Sequence, residues 1–186
     1  YQWRKAGVDI TGATSATYIF PSVTSVTPED YTVRIINPAS GGCASIISSA
    51  VTVTGSVTLY SKPGVDLSLP GSWGVASNGT GSSPVDFSRS EHTFIVKNNA
   101  ATGGNLTIAG TLDLANAVTT ISANTTLDAG YVIRSGTGSF AGTATSSLTV
   151  RGTSTIYFQS ANDILKNLSI LGGTTTLGTS LNIAAG

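Results

Sequence analysis

Charge is scarce in this chain. Its 186 residues include 9 Lys+Arg and 9 Asp+Glu, so the net charge is +0 and charged side chains make up only 10% of the whole, against roughly 25% in an average soluble domain. A neutral chain this poor in cations lacks the electrostatic footprint for nucleic acid, and membrane insertion is not expected either. One cysteine and one histidine exclude a zinc or haem spacing, so no metal or cofactor is expected. Methionine is absent, so there is no initiator, and the chain starting at Tyr1 reads as a piece of something longer. No stretch approaches the ~18 apolar residues of a membrane span, and no signal peptide is present. At 40% hydrophobic the chain is nevertheless too apolar for disorder of the highly charged kind.

What fills the space is Ser, Thr and Gly. Apolar residues alternate with Thr or Ser in Thr32-Val33-Arg34-Ile35-Ile36, Ala50-Val51-Thr52-Val53-Thr54 and Asn105-Leu106-Thr107-Ile108, which is strand periodicity. Almost nothing reads as helix, so the fold class is all-β. The composition shifts near Gly55. Residues 61–93 are rich in loops, with Pro63, Pro70 and Pro84, and from about Asn98 onward the charges nearly vanish. The expected division is 1–56, then 57–104 as a cap and solenoid start, then 105–186 as solenoid rungs.

Tyr1-Gln2-Trp3-Arg4-Lys5 followed by Gly7-Val8-Asp9-Ile10 resembles strand C of an immunoglobulin-like domain, with Trp3 as the core tryptophan. Residues 12–18 then lead into a strand through Ile19 and Phe20. Pro28-Glu29-Asp30-Tyr31-Thr32-Val33 resembles the tyrosine-corner segment of strand F, and residues 44–54 would be strand G. The resemblance departs from the antibody pattern at Val33, where a cysteine would stand, and strands A and B have no room before Tyr1. It therefore implies a partial sandwich, completed by upstream residues of its own longer chain or by a donor strand from a neighbour. Gly42-Cys43 matches the place where related secreted repeats carry a bridging cysteine. The resemblance implies a disulfide from Cys43 to a partner upstream of Tyr1; the alternative is an unpaired small residue.

Tyr60-Ser61-Lys62, Asp66-Leu67, Ser72-Trp73-Gly74, Asn78-Gly79-Thr80-Gly81, Pro84-Val85-Asp86-Phe87 and Thr93-Phe94-Ile95-Val96 form an ordered series. It resembles the opening of β-solenoid modules in large surface proteins of Bacteroidota-type bacteria, which commonly leave the cell by the type IX route. The resemblance implies an extracellular location. Trp73, Phe87 and Phe94 would cover the bare end of the solenoid; Trp73 alone is also a candidate for contact with sugar. Leu106/Ile108, Leu112/Leu114, Leu148/Val150, Leu168/Ile170 and Leu181/Ile183 are apolar pairs at spacing two. Asn167-Leu168-Ser169-Ile170 with Gly172-Gly173 resembles a rung of a right-handed parallel β-helix, at roughly 20 residues per turn.

Catalysis on such a scaffold would use clustered carboxylates and cations. The candidates are Asp113, Asp128, Asp163, Arg134, Arg151 and Lys166. All are isolated in sequence and read better as solvated turn or face residues. His92, beside Glu91, reads as a surface residue. Asp66 and Asp86 lack any EF-hand or nonapeptide calcium pattern. Asn78-Gly79-Thr80-Gly81 is a turn, not a phosphate loop. Sequons at Asn78, Asn105, Asn124 and Asn167 carry weight only in a eukaryotic secretory host. The Thr-x-Thr units at 143–145, 153–155 and 174–176 resemble ice-binding solenoid faces, but their spacing makes no even ladder. The expectation is a rigid stalk or adhesin segment without catalysis of its own, meeting carbohydrate or a cell-surface ligand. The rivals are a polysaccharide-binding or polysaccharide-active β-helix and, more remotely, an ice-binding solenoid.

Overall fold

The structure is a computed structural model that describes residues 1–19, 29–36, 45–53 and 55–185. The chain divides into two compact units, Tyr1–Ser56 and Val57–Gly186.

The first unit is one antiparallel sheet. Strands β1 (Gln2–Lys5) and β2 (Val8–Asp9) form a hairpin, turned by Ala6 and Gly7, both at positive φ. Strand β3 (Glu29–Ile35) is central. It pairs with β1 on one side and with the short strands β4 (Ile46–Ile47) and β5 (Val51–Val53) on the other. The strand-G segment is therefore split in two. Ile19 lies in no strand and is 88% exposed, and its expected companion Phe20 lies outside the described residues. Alternation separates the two faces of the sheet. Arg4, Asp9 and Arg34 share one face, where both arginines reach the same aspartate at 2.9 and 2.7 Å. Trp3, Tyr31 and Val33 share the other. Trp3 is half-buried and stacks on Tyr18 at 6.0 Å, and Tyr18 in turn meets the buried Tyr31 at 6.4 Å. A sandwich is not formed among the described residues; the observed unit is a sheet.

The second unit is a parallel β-solenoid of about four turns. Its longest sheet stacks β6 (Thr58–Ser61), β8 (Thr93–Ile95), β10 (Leu106–Asp113), β12 (Thr126–Ile133), β14 (Ser147–Val150) and β17 (Asn167–Ile170), each parallel to the next. A second sheet stacks β9 (Ala100–Thr102), β11 (Val118–Ile121) and β13 (Ser139–Ala141). Two further pairs are β15 (Ser154–Ile156) with β18 (Thr175–Leu177), and β16 (Ile164–Leu165) with β19 (Asn182–Ile183). Parallel pairing thus begins at Thr58, well before the first expected rung at 105.

The register is set by columns of like residues facing inward. Leu106, Leu127, Leu148 and Leu168 stand in line, as do Ile108, Ala129, Val150 and Ile170. Strands in such a ladder are only ~4.8 Å apart, so each column is a continuous apolar stack. Leu127, Leu148, Ile108 and Val150 are all 0% exposed. One or two residues after the second column, each rung carries a glycine: Gly110, Gly130, Gly152 and Gly172. A Cβ on Gly130 would overlap the carbonyl oxygens of Ala109 and Gly110, and one on Gly110 would overlap His92 O. The backbones of successive rungs approach too closely there for a side chain.

The two edges of the long sheet differ. Strand β7 (Trp73–Gly74), preceded by a 3-10 turn at Pro70–Ser72, lies antiparallel against β6 and covers its outer edge. Trp73 and Leu59 are 0% exposed. At the other end, among the described residues, β17, β18 and β19 are each paired on one side only. Ile170, Leu177 and Ile183 are correspondingly exposed. Stability should follow this gradient. Leu148→Ala is expected to cost about 2–5 kcal/mol, and Gly130→Ala about 1–3 kcal/mol through overpacking. Leu177→Ala should stay within about 0.5 kcal/mol. Denaturant unfolding of the three variants measures the order.

Candidate functional site

The aromatic residues singled out in 57–104 form one cluster. Phe94 lies between Trp73 at 5.2 Å and Phe87 at 5.4 Å. Trp73 is fully buried and its Nε1–H donates to Leu67 O at 3.0 Å. It presents no face on which a sugar ring can stack, so of the two roles considered for Trp73 the place in the core is the one it takes and the sugar contact is ruled out. His92 is also buried rather than on the surface, with 3% exposure. Alternation along β8 puts residues 92, 94 and 96 on the inward side, which brings its ring to 6.2 Å from Phe94.

In the first unit, Trp3 Nε1–H donates to Ser15 O at 3.0 Å, and the Tyr31 hydroxyl donates to Glu29 Oε2 at 2.9 Å. Lys5 holds Glu29 from the other side at 2.6 Å. This mutual hydrogen bond keeps the Glu29 carboxyl below its ordinary value and raises the Lys5 amine. Cys43 and the disulfide expected of it lie outside the described residues.

The aspartates of the solenoid are engaged within the chain, some on backbone N–H groups and others on side chains. Asp66 Oδ1 accepts from Ser68 N, Ser68 Oγ and, from the next turn, Gly103 N at 2.6–2.8 Å. Asp86 Oδ1 does the same with Ser88 N and Oγ, and Asn78 Oδ1 with Thr80 N and Oγ1. These are three Asx turns of one pattern, Asp/Asn-x-Ser/Thr. Asp113 was expected to be solvated but is only 3% exposed; its Oδ1 accepts from Ala115 N and Ser135 N. Asp163 binds Ser180 Oγ and Asn182 Nδ2. Asp128 forms a bidentate pair with Arg151 on the next rung, at 2.8 and 2.6 Å. Asp113 pairs in register with Ile133 and Asp128 with Thr107, six residues apart along β10. The sheet thus keeps these two carboxylates apart. Among the described residues no group of three His, Cys, Asp or Glu side chains could hold a metal ion.

The Thr-x-Thr units are only partly aligned. Residues 153–155 and 174–176 stack in register, but residues 143–145 fall in a turn, where Thr145 Oγ1 accepts from Asn124 N. All four sequon asparagines are exposed.

The solenoid carries a groove of about 460 Å³ between the end of β12 and β15, lined by Ile133, Arg134, Thr153, Thr155 and Tyr157. The Arg134 guanidinium lies 3.9 Å from the centre of the Tyr157 ring. Its Nη2 donates to Thr137 O at 2.9 Å. Tyr157 in turn rests against Gly178, and Tyr131 against Gly152; a Cβ on either glycine would strike the ring. Sequence reading named Arg134 only as an isolated cation and missed Tyr157. The signal was there as a repeated offset: each tyrosine has a glycine twenty-one residues on.

Burial pushes the Asp66 carboxyl up, but its hydrogen bonds from Ser68 and Gly103 outweigh that and hold it below its ordinary value. The hydroxyl and amide of Ser88 lower Asp86 likewise. A depressed folded value means stability that is whole above the ordinary carboxylate range and is lost as the pH falls through the folded value. The stability gap between the wild type and Asp66→Asn should therefore be widest near neutrality and close in acid below about pH 4, as measured by thermal unfolding against pH.

No protein-family model, no curated protein and no solved structure matches the chain.

Proposed function

We propose that the chain is a rigid stalk or adhesin segment of a large secreted cell-surface protein. On this reading the first unit is an immunoglobulin-like repeat. The second is a right-handed parallel β-helix whose residues 57–104 form its cap and entry. The observation that carries the proposal is the in-register stacking of the rungs. Each turn contacts only its neighbours, through apolar columns inside and hydrogen bonds at the corners, and such a rod is stiff and resists proteases.

Two further features support the reading. The order β2-β1-β3-β4 in the first unit, with β5 also on β3, is the order that strands C′, C, F and G take in an immunoglobulin-like sheet. The carboxylates of the solenoid are engaged in turns and cross-rung bonds, which suits a structural rod better than a general acid and base facing one substrate. The proposal is tested on the producing cells. Antibodies raised against the folded chain should label unpermeabilised cells, and mild external protease should release a resistant fragment containing Val57–Gly186. Labelling only after permeabilisation would overturn it.

A further inference from the structure

The structure assigns a binding site for an acidic saccharide, such as a uronate unit of a polysaccharide, to the groove between Arg134 and Tyr157. Among the described residues Arg151, Arg4, Arg34 and Lys5 all find carboxylate partners. Arg134 finds none. It is held in place by its stack on Tyr157 and by the bond to Thr137 O, which fix its orientation without neutralising its charge. Its Nε–H is buried against the protein, and Nη2 is taken by Thr137 O, so a ligand would be met at the outer, Nη end of the guanidinium. A pre-oriented, uncompensated guanidinium suits a carboxylate.

The rest of the groove suits the remainder of a sugar ring better than a bare inorganic anion. Thr153 and Thr155 are exposed on the outer face of the adjoining rung and offer hydroxyls. Ile133, 44% exposed on the outer face of β12, supplies apolar area for the C–H face of a pyranose. At about 460 Å³ the groove falls within the roughly 300–1,000 Å³ of ligand sites. The inference goes beyond the stalk reading and does not need it: binding is read on the isolated chain, whatever its location in the cell.

The test is calorimetric titration of the full chain with oligogalacturonide, its methyl ester, a neutral oligoglucan and inorganic phosphate. Oligogalacturonide alone should bind, and added salt should weaken it. Arg134→Gln should lower the affinity by about tenfold or more, the worth of a charge-assisted hydrogen bond. Unchanged thermal unfolding certifies the fold of that variant. Thr155→Val, an exposed isosteric change that leaves the Thr137 contact intact, should weaken binding about two- to fivefold, the worth of a neutral hydrogen bond. Absence of oligogalacturonide binding would overturn the assignment. So would equal binding of the methyl ester or the neutral glycan, phosphate binding as tight as the oligouronide, or full affinity in folded Arg134→Gln.

Discussion

The solenoid depends on one distance. Successive rungs are hydrogen-bonded along their strands, so every residue sits ~4.8 Å from its counterpart on the next turn. That spacing turns each position of a rung into a column, and each column must be filled with residues that tolerate their own kind. Leucine on leucine does so in the column through Leu106, Leu127, Leu148 and Leu168. At the bend after the second column the tolerance narrows to glycine, because the next carbonyl already occupies the place of a Cβ beside Gly110 and Gly130.

The corners impose the complementary demand. Where the chain leaves one strand for the next, its backbone N–H groups lose their ladder partners and need others. Side-chain oxygens one rung away supply them. Asn99 Oδ1 accepts from Val118 N, Asn105 Oδ1 from Thr126 N and Asn116 Oδ1 from Thr137 N. Thr102 Oγ1 accepts from Ser122 N, Ser154 Oγ from Val132 N and Thr179 Oγ1 from Phe158 N. Each bond ties one turn to its neighbour. The abundance of Ser, Thr and Asn thus has a physical use beyond the β propensity of threonine: short polar side chains reach exactly one rung.

Strand periodicity, glycine punctuation and the leucine pairs were legible in the sequence, because an inward column leaves a two-residue alternation that any single rung displays. The period of about twenty residues was legible for the same reason. The early start of the ladder was not: β6 and β8 are separated by residues 62–92, and so long an intervening segment hides the recurrence. Nor was the burial of Asp113 and His92. Both depend on which side of a strand a residue faces at a bend, and a register shift of one residue reverses that. The groove escaped because its two halves, Arg134 and Tyr157, lie on successive turns and meet only when the chain has gone once around.

The scarcity of charge, which first suggested what the chain does not bind, has a structural origin. In an in-register parallel ladder, like charges at one position would stand ~4.8 Å apart on every turn. Two unit charges at about 4 Å repel by about 1 kcal/mol even in water, and by more where solvent is partly excluded. A charged column is therefore penalised at each rung, and a charge survives on the outer face where its column neighbours are neutral or a nearby cation answers it. Asp128 shows both conditions: Thr107 and Thr149 flank it, and Arg151 pairs with it from the next rung. Arg134 and Lys97 take another course: each cation lies over an aromatic ring, Tyr157 and Tyr60, rather than against a carboxylate. The ring attracts the cation without neutralising it, so a positive charge is held in place on the outer face with no like charge stacked on it.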